Sequence, residues 1–202
     1  MTKVPAKTLF VSYFTPSYRE QAKRLTKSLD RLNLEHHVEA MEANDAMTWP
    51  DWCRRRSAFI GKCLADYAPD AVCWLDADCE VLRRPDVLMD LPTMRYDVAV
   101  WPRPSGVVGG VLWAAQSSAW FWSIVDGMTD RDEDARVNAA LRYVREKKIP
   151  LRVYPLEPSY QYIPWLRRLE GPMPLKDVVI LHYADETRRQ AEKAKMGRRG
   201  RR

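Results

Sequence analysis

The chain has 202 residues, enough for one domain with a sizeable core, and 46% hydrophobic content with eight Trp suits a packed globule rather than a disordered or fibrous chain. Its net charge of +6 is uneven: residues 187–202 carry eight Lys or Arg against one Glu, and the other 186 residues are near neutral, with 25 basic and 26 acidic side chains. No apolar run approaches a membrane span, Met1 to Lys7 has no signal-peptide core, and Cys53, Cys63, Cys73 and Cys79 match no zinc spacing, so the expectation is a cytoplasmic protein with reduced thiols.

Thr8 to Phe14 (TLFVSYF) reads as the first strand. The turn at Pro16-Ser17 leads into a helix with a capping-box spelling, Ser17 followed three residues later by Glu20. Ala22, Leu25, Leu29 and Leu32 recur at helical spacing, so one face of that helix packs on a sheet. His37 to Met41 is a candidate second strand. A polar loop over 42–50 precedes a helix over 51–67, with Trp52, Phe59, Ile60, Cys63 and Leu64 inward and Arg54, Arg55, Arg56 and Lys62 left to solvent or ligand.

Ala71 to Leu75 is apolar at every position, which predicts a central strand covered on both faces. Asp76 and Asp78 follow at i and i+2, a spacing that returns to one face, and ligands in open α/β sheets collect beyond the carboxyl ends of strands. Two such carboxylates suit one hard cation or one polar ligand. A helix-loop-helix calcium site is excluded, because it needs Gly where Val81 stands and Glu where Val87 stands. A haloacid-dehalogenase-type phosphatase using Asp76 as nucleophile is an alternative, although that pattern has Thr or Val at the position of Glu80. The plain structural alternative is that both aspartates cap the turn at 83–86.

Residues 97–101 read as another strand, and 106–113 as a strand whose Gly109-Gly110 admits close approach to the backbone. A Trp-rich helix over 117–128 is followed by one over 132–147, with Ala135, Ala139, Leu141 and Val144 on its apolar side. Asp132, Glu133 and Asp134 fall in the first turn of the latter, where acids offset the helix dipole. Residues 151–154 and 178–182 complete the strands, the second a run of VVIL ending in His182. Between them Tyr160, Tyr162 and Trp165 occupy a Pro-rich loop that either lines an acceptor side or simply packs. Strands alternating with helices predict an α/β fold, a single Rossmann-like domain with a mostly parallel central sheet flanked by helices. Neither a Gly-x-Gly-x-x-Gly after the first strand nor a Walker phosphate loop is present, so no dinucleotide redox cofactor is indicated.

Tyr13 to Pro16, Leu75 to Asp78, Asp134, Leu156 to Tyr162 and His182 occur in an order that resembles the GT-A-fold glycosyltransferases, the nucleotide-diphospho-sugar transferases. The resemblance implies a GT-A domain over 1–186 and leaves 187–202 as a basic, disordered tail. It implies that Tyr13, Phe14 and Thr15 hold the nucleotide base and ribose of a donor, UDP-linked by family habit. Asp76 would contact the ribose or a metal-bound water, and Asp78 and His182 would bind Mn2+ or Mg2+ bridging the two phosphates. Arg56 would add charge neutralisation. Asp134 would be the catalytic or acceptor-positioning carboxylate, with Glu133 as substitute because Ala135 stands where the family often has Gln. The acceptor stays open. A hydroxymethylated base in DNA is one candidate, because the tail can attract nucleic acid. A non-catalytic scaffold binding nucleic acid through that tail is the alternative from another class.

Overall fold

The computed structural model describes residues 7–42, 44, 46–47, 49–104, 106–130, 133–164 and 172–183, with the backbone alone at 49, 50 and 133. The basic tail, Trp165, Asp132 and the side chain of Glu133 therefore lie outside what is described. The elements in order are β1 (Thr8–Phe14), α1 (Arg19–Arg31), β2 (His36–Ala40), α2 (Trp49–Tyr67), β3 (Ala71–Leu75), β4 (Cys79–Val81), α3 (Asp86–Asp90), β5 (Val98–Arg103), β6 (Gly106–Ala115), α4 (Ala119–Gly127), α5 (Glu133–Glu146), β7 (Val153–Pro155) and β8 (Ile180–His182).

Six strands form the central sheet in the order β2-β1-β3-β6-β5-β7. The pairs β1·β2, β1·β3 and β5·β7 are parallel, whereas β6 runs antiparallel to both β3 and β5. That one reversal positions the site. Leu75 pairs with Val111, so Gly109 and Gly110, early in β6, lie beside the carboxyl end of β3.

The period of two along each strand divides the core. Ala71, Cys73 and Leu75 of β3 join Phe10, Leu25, Leu29 and Leu88 on one side of the sheet. Val72 and Trp74 join Phe59, Ile60, Leu64 and Phe121 on the other, where α2 packs with α4 and α5. Burial on both faces is why β3 reads as an unbroken apolar run. Each fully buried Leu or Phe contributes about 1.5–3 kcal/mol by leaving water.

One expectation needs correction, and two residue settings left open by the sequence are decided. Ser17 does not cap α1: Pro16 opens a 3-10 turn, Tyr18 stands at the N-cap with no side-chain cap, and the Ser17 hydroxyl pairs with Thr15 Oγ1 at 3.0 Å. Arg56, left open to solvent or ligand, is turned inward and only 6% exposed. Tyr160 and Tyr162 are buried and pack into core clusters, the packing alternative of the two. Two elements went unread, α3 and the three-residue β4, which pairs antiparallel with β8 as a separate two-stranded sheet.

Candidate functional site

At the end of β3 the chain turns sharply. The Asp76 amide donates to Gly110 O at 2.9 Å, continuing the ladder by one bond, and the Cys79 amide donates back to Asp76 O at 2.9 Å, closing a tight turn into β4. β8 pairs with β4 so that His182 stands opposite Cys79. Its amide donates to Tyr162 O, and the next amide, of Tyr183, donates to Asp78 O at 3.1 Å. Backbone hydrogen bonds thus fix the places from which Asp76, Asp78 and His182 extend.

The three side chains meet. His182 Nε2 lies 3.2 Å from Asp78 Oδ1 and 3.5 Å from Asp76 Oδ2, and one ligand atom from each residue falls within 4.8 Å of the others. Donors bound at about 2.1–2.3 Å and at right angles around one cation stand roughly 3 Å apart, so these separations suit a divalent ion with little rearrangement. Two carboxylate oxygens and an imidazole nitrogen suit Mn2+, with Mg2+ also compatible. Asp76 is further held by Trp74 Nε1, which donates to its Oδ1 at 2.9 Å.

The electrostatics match. Burial pushes the Asp78 carboxyl up, but the hydrogen bond and charge of His182, with a smaller contribution from Arg24, outweigh it and hold the group below its ordinary value. For His182 burial acts downward, and the hydrogen bond to Asp78 with the charges of Asp78 and Asp76 carries it above its ordinary value. Cys79, although adjacent, stays a thiol, because burial and then the two aspartates raise it strongly.

Arg56 joins this cluster to a third carboxylate, Asp134. From α2 its Nη1 donates to Gly109 O at 2.6 Å and lies 3.5 Å from Asp134 Oδ1, while Nη2 lies 3.5 Å from Asp76 Oδ1. Asp134 Oδ1 also accepts from the Gly109 amide at 2.9 Å, and the side chain stays 43% exposed. One oxygen of Asp134 is therefore anchored while the group as a whole still reaches solvent.

The paired glycines are required by space and not by backbone angle. Among the described glycines only Gly106 has a positive φ. A Cβ on Gly109 would stand 2.0 Å from Arg56 Nη1 and 2.4 Å from Asp134 Oδ1. One on Gly110 would stand 2.5 Å from the His182 ring and 2.9 Å from Gln161 Nε2.

The first-strand turn borders the same region. Tyr13 is buried, its hydroxyl donating to Trp52 O and its ring tilted against Trp74 at 4.9 Å, so Phe14 and Thr15 form the more accessible part. Sequence reading missed Tyr18, whose phenol is raised by burial and then by the charges of Asp78 and Asp76. It also missed Arg24, stacked 3.8 Å above the Tyr183 ring, and Gln161, whose Oε1 accepts from the Val111 amide at 2.9 Å. Tyr18 closes the 3-10 turn just past the 13–15 segment and Arg24 lies six residues on inside α1, a spacing that no one-face helical pattern picks out. Gln161 left no signal either, being placed by a 3-10 turn and a contact 50 residues away.

No protein-family model and no curated protein sequence matches the chain. Among solved structures, a glycosyltransferase involved in the glycosylation of the major capsid of PBCV-1 is similar with a TM-score of 0.67, covering 89% of this chain and 93% of that one at 17% identity. The fold is thus that of a glycosyltransferase Rossmann-like domain, and the sequences have diverged too far for residue roles to pass between them.

Proposed function

We propose that this chain is a divalent-cation-dependent glycosyltransferase, moving a sugar from a nucleotide-diphosphate donor, a UDP-sugar in the first instance, to an acceptor hydroxyl. The observation that carries the reading is the meeting of Asp76, Asp78 and His182 beyond the carboxyl end of β3, in a fold shared with a glycosyltransferase. Asp78 and His182 hold the cation, and Asp76 takes either the cation or the donor ribose. When bound, Mn2+ or Mg2+ supplies Lewis-acid stabilisation of the leaving diphosphate.

The remaining roles belong to side chains. Phe14 and Thr15, with the Tyr13 backbone, flank the base and ribose. Arg56 is a fixed positive charge between the cation site and Asp134, needing no reorganisation when negative charge develops. Asp134 either takes the proton of the acceptor hydroxyl in an inverting reaction or stabilises a cationic sugar in a retaining one; Glu133 is its substitute. The acceptor side faces solvent past Asp134. A hydroxymethylated DNA base as acceptor would have to leave the duplex first, and deletion of residues 187–202 would then abolish activity on DNA while sparing a small acceptor.

The test is calorimetric binding of UDP, GDP, CMP and TDP to the wild type and to Asp78→Ala, each with manganese and with chelator. Manganese-dependent binding of one nucleotide, lost in the variant, supports the reading and names the donor. A folded protein that binds none of the four sinks it. Phosphate release from an aryl phosphate without any sugar donor, abolished by Asp76→Asn, would favour the phosphatase alternative. Nucleic-acid binding unaltered by Asp78→Ala, with no nucleotide bound, would favour the scaffold.

A further inference from the structure

A cleft of about 640 Å³ lies between the carboxyl end of β5, the start of β6, the edge strand β7 and the last turns of α5. Val107, Leu141, Ile149, Leu151 and Val153 supply an apolar floor, and Arg103, Arg142, Arg145 and Lys148 stand around it. Among the described residues no Asp or Glu lines it. Its size is that of a small-ligand pocket, and such pockets are mostly apolar with a few polar groups fixing orientation.

The charge is one-sided for a reason that helix chemistry explains only in part. Arg142 and Arg145 lie near the carboxyl end of α5, and Lys148 two residues past it, where cations offset the helix dipole. Arg103 comes from β5, its guanidinium 5.2 Å above the Trp101 ring, and adds to the same rim. Among the described residues no salt bridge joins Arg142, Arg145 or Lys148 to a carboxylate, although elsewhere on the surface Lys23, Lys62 and Arg84 each have one. The rim is held in shape. Asn138 Oδ1 accepts from the Val107 amide at 3.0 Å, its Nδ2 donates to Asp134 O at 2.6 Å, and Gly106, at φ 118°, fits against it.

We propose that this cleft binds an amphiphilic anion, an aliphatic chain carrying a phosphate, with the chain on the apolar floor and the head group among Arg142, Arg145 and Lys148. Hydrocarbon burial supplies the driving force, and the cations select the sign and fix the orientation. An uncharged chain leaves the rim unpaired, and a free phosphate leaves the floor wet. Binding requires neither a nucleotide nor a divalent cation, so it stands or falls separately from the transferase reading.

The experiment is titration of the full chain with decyl phosphate below its micelle concentration, in chelator, beside inorganic phosphate and decanol. One decyl phosphate is expected to bind per chain, with the other two at least roughly tenfold weaker. The exposed double variant Arg142→Glu/Arg145→Glu should lose roughly tenfold or more in affinity, and Leu141→Glu, which charges the floor, should do the same; unchanged thermal midpoints show that both fold. Equal binding by the double variant would assign the phosphate to another basic segment and overturn the proposal. So would inorganic phosphate or decanol binding as well as decyl phosphate, or no binding at all.

Discussion

Gly109 and Gly110 are neighbours in one strand, yet their missing side chains protect different chemistry. The Cα of Gly110 faces the His182 ring, and that of Gly109 faces Arg56 and Asp134. Gly110→Ala should therefore displace the His182 ring, costing about 1–3 kcal/mol of stability by overpacking and, on the proposed function, roughly 10–100-fold in manganese affinity, read by thermal melting and metal titration. Gly109→Ala should instead separate Arg56 from Asp134, lowering turnover while manganese-dependent nucleotide binding persists. Asp134→Asn keeps the shape and should cost about 10²–10⁴ in kcat with donor affinity retained; loss of donor binding instead would move Asp134 out of its acceptor-side role. At this scale the sequence was most legible where a residue type is chemically unusual for its setting: two carboxylates and a histidine at the ends of apolar strands. Whether Arg56 turns to solvent or inward was not legible, because its burial depends on Gly109 O, 53 positions away, which no local pattern encodes.

Elements that could be read were those whose local pattern and tertiary surroundings agree. β1, β3 and β6 are buried on both faces, and their apolar runs announce it. α1 and α2 show the helical spacing of their buried residues. β4 was invisible because three residues cannot display a period, and it is a strand only through its ladder with β8. The start of α1 was misplaced because Pro16 and the 3-10 turn override the capping-box spelling. β8 is equally short, but Ile180 is fully buried against the main core and sets the height of His182. Ile180→Ala should cost about 2–5 kcal/mol and weaken manganese binding as well. Full manganese affinity in a folded variant would mean that His182 is held by its backbone bonds alone.

For the molecule as a whole, the Asp78–His182 pair links stability to pH when no cation is bound. Asp78 is lowered from 3.8, so its contribution is complete above 3.8 and is lost as pH falls through its folded value. His182 is raised from 6.5, so its contribution is complete below 6.5 and is lost as pH rises through its folded value. The metal-free protein should have a stability plateau between those two pH values, and the plateau should flatten in Asp78→Asn, as thermal melts in chelator across pH would reveal. A wild type and variant with identical profiles would remove the pair from the account. Among the described residues no helix is long and apolar enough to cross a membrane.

Tyr183 donates to Glu80 at 2.8 Å across 103 positions of sequence, and the two carboxylates of the proposed cation site stand just before one partner and its histidine just before the other. That distance along the chain is also a distance in time. During synthesis Asp76 and Asp78 leave the ribosome long before His182, and the growing polypeptide carries two of the three members of the proposed cation site until β8 emerges and docks on β4. Whatever reaction the completed cluster supports begins only once β8 is in place, and a fragment ending before residue 182 should be chemically silent even where the main sheet forms.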